Sequence, residues 1–340
     1  MRILVTGGAG FIGANLIRKL LEDNSLSILN IDSLTYAANL SAIEEFNNNK
    51  NYSFAKIDIT DNKSVTKIFN EFRPDKVMHL AAESHVDKSI SSPFDFINTN
   101  IIGTYYLLNA AYEHYIHLSD HKKRLFMFHH ISTDEVYGDL EKNDKPFTEN
   151  TPYSPNSPYS ASKASSDHLV RAWNSTYNLP VVISNCSNNY GPGQFTEKLI
   201  PMTITNAIKG FPIPIYGDGT QIRDWLYVDD HTSALKKIIL FGKPGETYNI
   251  GGSNEIKNID LVQEICSILD RYHSSEKKAV MSFKDLITFV DDRPGHDKRY
   301  AINSEKIEKE LDWKPKEDFS SGIKKTIQWY IDNKSSWFKE

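Results

Sequence analysis

Residues 2–6, Arg-Ile-Leu-Val-Thr, form a short apolar run that glycines stop at once, the pattern of a strand buried on both faces. From Phe11 to Leu21 the apolar positions Phe11, Ile12, Leu16, Ile17, Leu20 and Leu21 fall at helical spacing. The two patterns then alternate along the chain. Strands are predicted at 27–31, 52–57, 76–80, 125–131 and 181–184, with helices at 64–72, 94–115 and 158–177 between them. Strands alternating with helices imply βαβ units, hence an α/β fold with a doubly wound parallel sheet covered on both faces. The polar stretch 45–51 reads as a solvated turn.

Beyond about Asn188 the texture changes. Pro192, Pro201, Pro212 and Pro214 interrupt it, and Gly191, Gly193, Gly210, Gly217 and Gly219 add turns. A smaller, loop-rich region laid across the sheet is expected here, with helices at 198–209 and 259–271. The helical pattern at 229–241 and a strand at 248–250 point back to the first domain. The expected division is a dinucleotide domain at 1–187, with a returning segment near 225–252, and a smaller C-terminal α/β substrate-binding domain at 188–340. No internal repeat or flexible linker is evident.

Composition narrows the function. A net charge of -5 supplies no electrostatic case for nucleic acid, and the basic cluster at 121–124 reads as a solvated loop. Two cysteines, Cys186 and Cys266, make neither a metal-binding spacing nor a disulfide framework, so no metal is expected. Cys186 is expected to be a buried thiol, which fits a reducing, cytoplasmic setting. No run approaches ~18 uninterrupted apolar residues, so no membrane span is expected. With a strand pattern beginning at residue 2, no signal peptide is expected.

The loop Gly7-Gly8-Ala9-Gly10-Phe11-Ile12-Gly13 joins the first strand to the first helix. Glycines at 7, 10 and 13 permit a tight turn, close approach of a pyrophosphate, and close packing of helix on sheet. The helix N-terminus then offers backbone N–H groups to phosphate. The G-x-x-G-x-x-G spacing gains weight from Asp32 at the end of the second strand, where a carboxylate accepts from both ribose hydroxyls and repels a 2′-phosphate. NAD is therefore expected rather than NADP, in a Rossmann-type domain. Asp58 and Ile59 follow the third strand, where an adenine would be held; the alternative is that Asp58 caps a helix. Leu80-Ala81-Ala82, after the fourth strand, allow a small-residue backbone to run beside the cofactor.

Thr133, Asp134 and Glu135 put a hydroxyl and two carboxyls at a predicted strand end, and Tyr159 and Lys163 lie on one face of a predicted helix. A phenol titrates near ~10. An ammonium about 5 Å away, at an effective dielectric near 20, contributes roughly 3 kcal/mol toward lowering it, or about 2 pKa units. That pair suits oxidation of an alcohol, and the two carboxyls suit an acid–base step after it. Neighbouring residues of a plain strand face opposite sides, so both carboxyls serve one substrate only if the chain turns after Thr133.

These motifs, with Asn188-Asn189-Tyr190-Gly191-Pro192, resemble the extended short-chain dehydrogenase/reductase superfamily in its nucleotide-sugar branch, over nearly the whole chain. The stretches 32–40, 81–87, 132–138 and 292–297 are similar to those of the dTDP-glucose 4,6-dehydratases. The resemblance implies oxidation of a hexose at carbon 4, loss of water across carbons 5 and 6, and return of hydride to carbon 6. Thr133 would position the hydroxyl, Asp134 act as acid and Glu135 as base, with tightly bound NAD regenerated each turnover. It implies further cofactor contacts from Phe11, Ile12, Ser33, Leu34, Thr35, Ser84, Thr99 and Asn189. Substrate, dTDP-glucose, would be held by Ser84, Thr133, Asn188, the segment Glu197-Lys198-Leu199, Pro214, Ile215, Tyr216, Asn258 and Asp292. Arg223 and Arg293 suit a diphosphate by their planar donor fork; the other reading of Arg223 is a surface pair with Asp224. His296 suits a structural or rim position. Lys88 and Ala38 depart from the family pattern, where arginine and glycine are common. The resemblance also implies a homodimer through helices 94–115 and 158–177. A UDP-glucose 4,6-dehydratase would share all this chemistry, and a non-catalytic NAD-sensing module would share the fold.

Overall fold

The computed structural model describes residues 1–278 and 280–337. Among them run twelve strands: β1 (Arg2–Thr6), β2 (Ser27–Asp32), β3 (Tyr52–Lys56), β4 (Lys76–His79), β5 (Met127–Thr133), β6 (Val181–Cys186), β7 (Asn188–Tyr190), β8 (Ile213–Tyr216), β9 (Ile222–Tyr227), β10 (Thr247–Ile250), β11 (Glu255–Lys257) and β12 (Ile287–Val290). Seven form one sheet in the order β10-β6-β5-β4-β1-β2-β3, every pair parallel. This is the doubly wound Rossmann-type sheet that the alternating pattern predicts.

Period-two alternation sends β1 into two cores at once. Ile3 and Val5 pack with Leu16, Ile17 and Leu20 of the helix Phe11–Leu21 and with Leu235 and Ile238 of the helix Val228–Phe241. Leu4 faces the other side, among Val65, Phe69, Leu107, Leu108 and Val170. Each such fully buried side chain contributes about 1.5–3 kcal/mol. The returning segment behaves as its pattern suggests: Val228–Phe241 lies on Phe11–Leu21, and β10 pairs with β6.

Three local expectations change. Residues 94–115 are not one uniform helix but a short turn, Pro93–Phe96, a wider π-helical stretch, Ile97–Gly103, and the α-helix Thr104–Ile116. Asn100 of the wide stretch is buried and hydrogen-bonds both the N–H and the carbonyl of Glu83, and also Ser162. Such inserted residues occur mostly where a side chain is re-aimed for function. The basic cluster 121–124 is helical, within Asp120–Leu125, so β5 starts at Met127 rather than 125. The 45–51 stretch is anchored by Phe46, buried against the Tyr52 ring at 5.3 Å.

The later part of the chain is more regular than its prolines suggest. β9 pairs antiparallel with β11 and parallel with β7, and β8 pairs with β12. The helices Leu199–Lys209, Asn258–Tyr272 and Phe319–Asp332 cover them around Ile204, Ile265 and Ile327. No described helix is long and apolar enough to cross a membrane.

Candidate active site

The sheet order reverses between β1 and β4, and a parallel sheet opens its binding crevice at that switch. There the glycine loop after β1 meets Leu80-Ala81-Ala82 after β4. Gly7 adopts φ +73°, and a Cβ on it would sit 2.6 Å from the Ala81 nitrogen. A Cβ on Gly13 would sit 2.2 Å from the Gly7 carbonyl oxygen. Gly10 differs: only the Gly7 oxygen, at 3.3 Å, lies near its Cβ direction. The helix starting at Phe11 has no side-chain cap at Gly10, so its first N–H groups face an open cradle. That is the fit a pyrophosphate requires. Asp32, at the end of β2, lies beside this cradle and accepts from the N–H groups of Ala9 at 2.9 Å and Leu34 at 2.8 Å. Burial lifts its carboxyl and those two bonds hold it down.

A cavity of about 380 Å³ extends from this cradle. Gly7, Gly10, Phe11, Ile12, Gly13, Asp32, Ser33, Thr35, Asp58, Ile59, Leu80, Ala81, Ala82, Ser84, Thr99 and Asn189 all line it, as do Thr133, Glu135, Tyr159, Lys163, Asn188 and Lys198. Leu34 is outside the lining and serves Asp32 through its N–H. Asp58 is no helix cap: it turns onto Thr60, and Asp61 caps the helix Asn62–Phe72. Glu83, Gln194, Phe195 and Glu197 also line the cavity. Glu83 stands in the family-like stretch 81–87, which is the signal that could have found it.

At the far end, β5 stops at Thr133 and the chain turns into a single 3-10 turn, Asp134–Tyr137. Thr133 Oγ1 accepts from the Glu135 N–H at 3.3 Å and donates to Asp134 Oδ1 at 3.4 Å. The chain thus turns sharply after Thr133, as expected, but of the two carboxyls only Glu135 lines the cavity. Asp134 lies just behind the cavity wall, 1% exposed, with Oδ2 lacking a hydrogen-bond partner among the described residues. Burial, then Glu135 and Asp224, lift its carboxyl well above the ordinary range. Burial also lifts Glu135, but Arg293, Arg223 and Lys198 pull it down. Both carboxyls are raised on balance, Asp134 the further of the two.

Tyr159 and Lys163 stand on the helix Pro158–Tyr177, whose start is held by Pro158 and by reciprocal hydrogen bonds between Ser157 and Ser160. The electrostatics differ from the Coulomb expectation. Burial, then Glu135, raise the phenol well above its usual value, and a hydrogen bond with Thr133 opposes this. Desolvation and both carboxyls act against the pull of Lys163. Lys163 donates instead to the Ile131 carbonyl at 2.8 Å.

The other expected substrate residues form a second group outside the cavity lining. Tyr216 donates to Asp87 at 2.9 Å, and Arg293 meets the same carboxylate at 3.3 Å. His296 pairs with Asp292 at 2.6 Å, and its ring meets Tyr216 edge-on. Pro214 and Ile215 belong to β8, Leu199 opens a helix, and the buried Oδ1 of Asn258 lacks a partner among the described residues. Arg223 is not a surface pair with Asp224. It is 5% exposed, donates to the carbonyls of Ile222 and Asp297, and stacks 4.3 Å from the Tyr300 ring.

The sequence profile of the GDP-mannose 4,6 dehydratase family matches residues 4–326. A dTDP-glucose 4,6-dehydratase of Escherichia coli is 56% identical, over 99% of this chain and 95% of that one. The dTDP-glucose 4,6-dehydratase of Bacillus anthracis, solved in complex with NAD, superposes with a TM-score of 0.86 at 43% identity, covering 99% of each chain. That of Streptomyces venezuelae, solved with NAD and TYD bound, superposes with a TM-score of 0.89 at 38% identity, again covering 99% of each. The cradle, the turn after Thr133 and the Tyr159–Lys163 helix therefore belong to a member of the GDP-mannose 4,6 dehydratase family and, within it, of the dTDP-glucose 4,6-dehydratases.

Proposed function

We propose that this protein is an NAD-dependent hydro-lyase that converts dTDP-glucose to dTDP-4-keto-6-deoxyglucose and water. The observation that carries the reading is one cavity with a pyrophosphate cradle at one end and Thr133, Glu135, Tyr159 and Lys163 at the other. Bound NAD accepts hydride from carbon 4 and returns it to carbon 6, so the reaction is redox-neutral. Thr133 and Ser84 hold the hexose, and Tyr159, ionised when the Lys163 ammonium and the positively charged nicotinamide ring of bound NAD offset its burial, takes the proton of the carbon-4 hydroxyl. The 4-ketone acidifies the hydrogen on carbon 5, which Glu135 removes. Asp134, kept protonated by burial, gives its proton to the carbon-6 hydroxyl, which leaves as water. Carbon 5 is reprotonated as hydride reaches carbon 6.

Residues 1–187, with 225–252, form the NAD-binding domain, and 188–340 mainly hold the sugar nucleotide. Asn188 and Arg293 take the diphosphosugar, with Arg223 behind them. Leu199, Asn258, Asp292 and His296 contact the sugar nucleotide beyond the cavity, and Pro214, Ile215 and Tyr216 wall the base. The protein works in the cytoplasm as a homodimer. Support for the dimer comes from Phe94, 71% exposed, with Ile97, Tyr105 and Tyr177 also exposed on the two expected helices. Light scattering at micromolar concentration should give twice the chain mass; a monomer would contradict this.

The deciding experiment compares kcat/KM for dTDP-, UDP- and GDP-linked glucose and mannose. The dTDP sugar should lead, with a 4-keto product lighter by one water. A UDP preference would reassign the nucleotide, and no turnover of any sugar would leave an NAD-sensing module.

A further inference from the structure

Behind the cavity, one helical turn beyond Lys163, lies Asp167, fully buried on the same helix. Its Oδ2 accepts from the Ser132 hydroxyl at 3.0 Å, the Tyr153 phenol at 2.8 Å and the Asn185 amide at 3.4 Å. Its Oδ1 lies 3.2 Å from His130 Nε2. The same Asn185 amide donates to the Thr133 carbonyl at 3.0 Å. One carboxylate thus ties the Lys163 helix to the ends of β5 and β6, where Thr133 stands.

We infer that Asp167 is a positioning residue: through Ser132 and Asn185 it anchors the strand end carrying Thr133, and from one turn along the helix it sets a buried counter-charge behind the Lys163 ammonium. A buried ammonium without an anion tends to lose its proton, because low dielectric penalises the charge. The groups facing Lys163 are His79 on β4, His130 on β5, Cys186 on β6, and Tyr159 and Asp167 on its own helix. Burial lowers both histidines, His130 to about 4, and raises the Cys186 thiol to about 12, so these three are neutral near pH 7. Asp167 also faces Tyr153, Tyr137 and Arg171. Both phenols are raised and stay neutral, and Arg171 donates to Tyr153 rather than to the carboxylate. That leaves Asp167 as the anion offsetting Lys163 among these groups. Burial pulls the ammonium down and Asp167 holds it up.

The inference rests on the proposed role of Lys163 beside Tyr159, so the test carries one readout independent of catalysis. The first is the single-turnover rate of reduced-nicotinamide formation against pH, for wild type and Asp167→Asn. The alkaline limb should move toward acid by about one pH unit or more. Asp167→Glu, which keeps the charge, should hold the limb within about 0.3 unit, though more slowly. The second is melting temperature against pH. A lysine with a depressed folded pKa gains stability as pH rises from that pKa toward its unfolded value, so the deficit of D167N should narrow between about pH 7 and 9.5. A limb that stays in place in D167N, or a deficit constant with pH, overturns the inference. Melting that narrows while no sugar turns over would instead fault the functional reading. Asp167→Ser repeats both measurements if D167N does not fold.

Discussion

The guanidinium of Arg293 lies 3.3 Å from the carboxylate of Asp87, joining the 292–296 loop to the short helix Val86–Ser91 beside the cavity. Both side chains are partly exposed, so the pair itself contributes little to stability. Its value is placement: a fork-shaped cation is held at Asp87, and its charge already bears on Glu135. Arg293→Ala should raise KM for the sugar nucleotide about 10- to 100-fold, the loss of a charge-assisted bond, with a smaller fall in kcat. Arg293→Lys should fall between, keeping charge but losing the fork. Steady-state kinetics on both variants decide this, and an unchanged KM in the alanine variant would remove Arg293 from the binding site.

Glu135→Gln separates the oxidation from the elimination. Tyr159 and Lys163 remain, so hydride should still leave carbon 4, while the carbon-5 proton stays in place. Turnover should fall about 100- to 10,000-fold as reduced nicotinamide accumulates on the enzyme. Stopped-flow absorbance reads the accumulation, and undiminished dehydration would sink the assignment of the base.

Asp134 trades stability for chemistry. Its folded pKa is raised, so the folded state holds a proton that the unfolded state releases above about pH 3.8. Its contribution is therefore fully present below that value and is lost as pH rises through the folded pKa. Asp134→Asn removes the titration, and it should melt about 1–4 °C higher than wild type at pH 7, with the gain vanishing toward pH 3.5. Dehydration should be lost, because the amide cannot supply a proton. Calorimetry at the two pH values tests the sign.

Gly7→Ala should empty the cofactor site. The added Cβ meets the Ala81 backbone at 2.6 Å, and φ +73° disfavours any side chain. The change should cost about 1–3 kcal/mol and lower the NAD content of the purified protein. Extraction and enzymatic titration of bound NAD provide a readout apart from turnover. Gly10→Ala, with only one neighbour at 3.3 Å, should fold normally yet also lose NAD, because its methyl would enter the pyrophosphate cradle.

Much of the first sheet was legible because its strands are short apolar runs bounded by glycine or polar turns, and such runs read the same in isolation as in the fold. The 94–115 segment was not, because a π-helical stretch leaves no mark in hydrophobic periodicity. Asn100 within it bonds Glu83 and Ser162, which come from elsewhere in the chain. β8 and β12 pair residues 74 positions apart, so no local pattern announces their pairing.

By itself the sequence determined the chemistry available: the glycine spacing, the acid after β2, the phenol–ammonium pair and the adjacent carboxyls. These are local, and their meaning lies in residue type and spacing. Only the tertiary structure decided the direction in which each of them is shifted. Desolvation depends on everything packed around a group, so Tyr159 rises where Lys163 alone would lower it, and Asp134 rises further behind the wall than Glu135 beside its cations. The turn after Thr133 likewise needed the fold, because Asn185 on the neighbouring strand holds the carbonyl from which it begins.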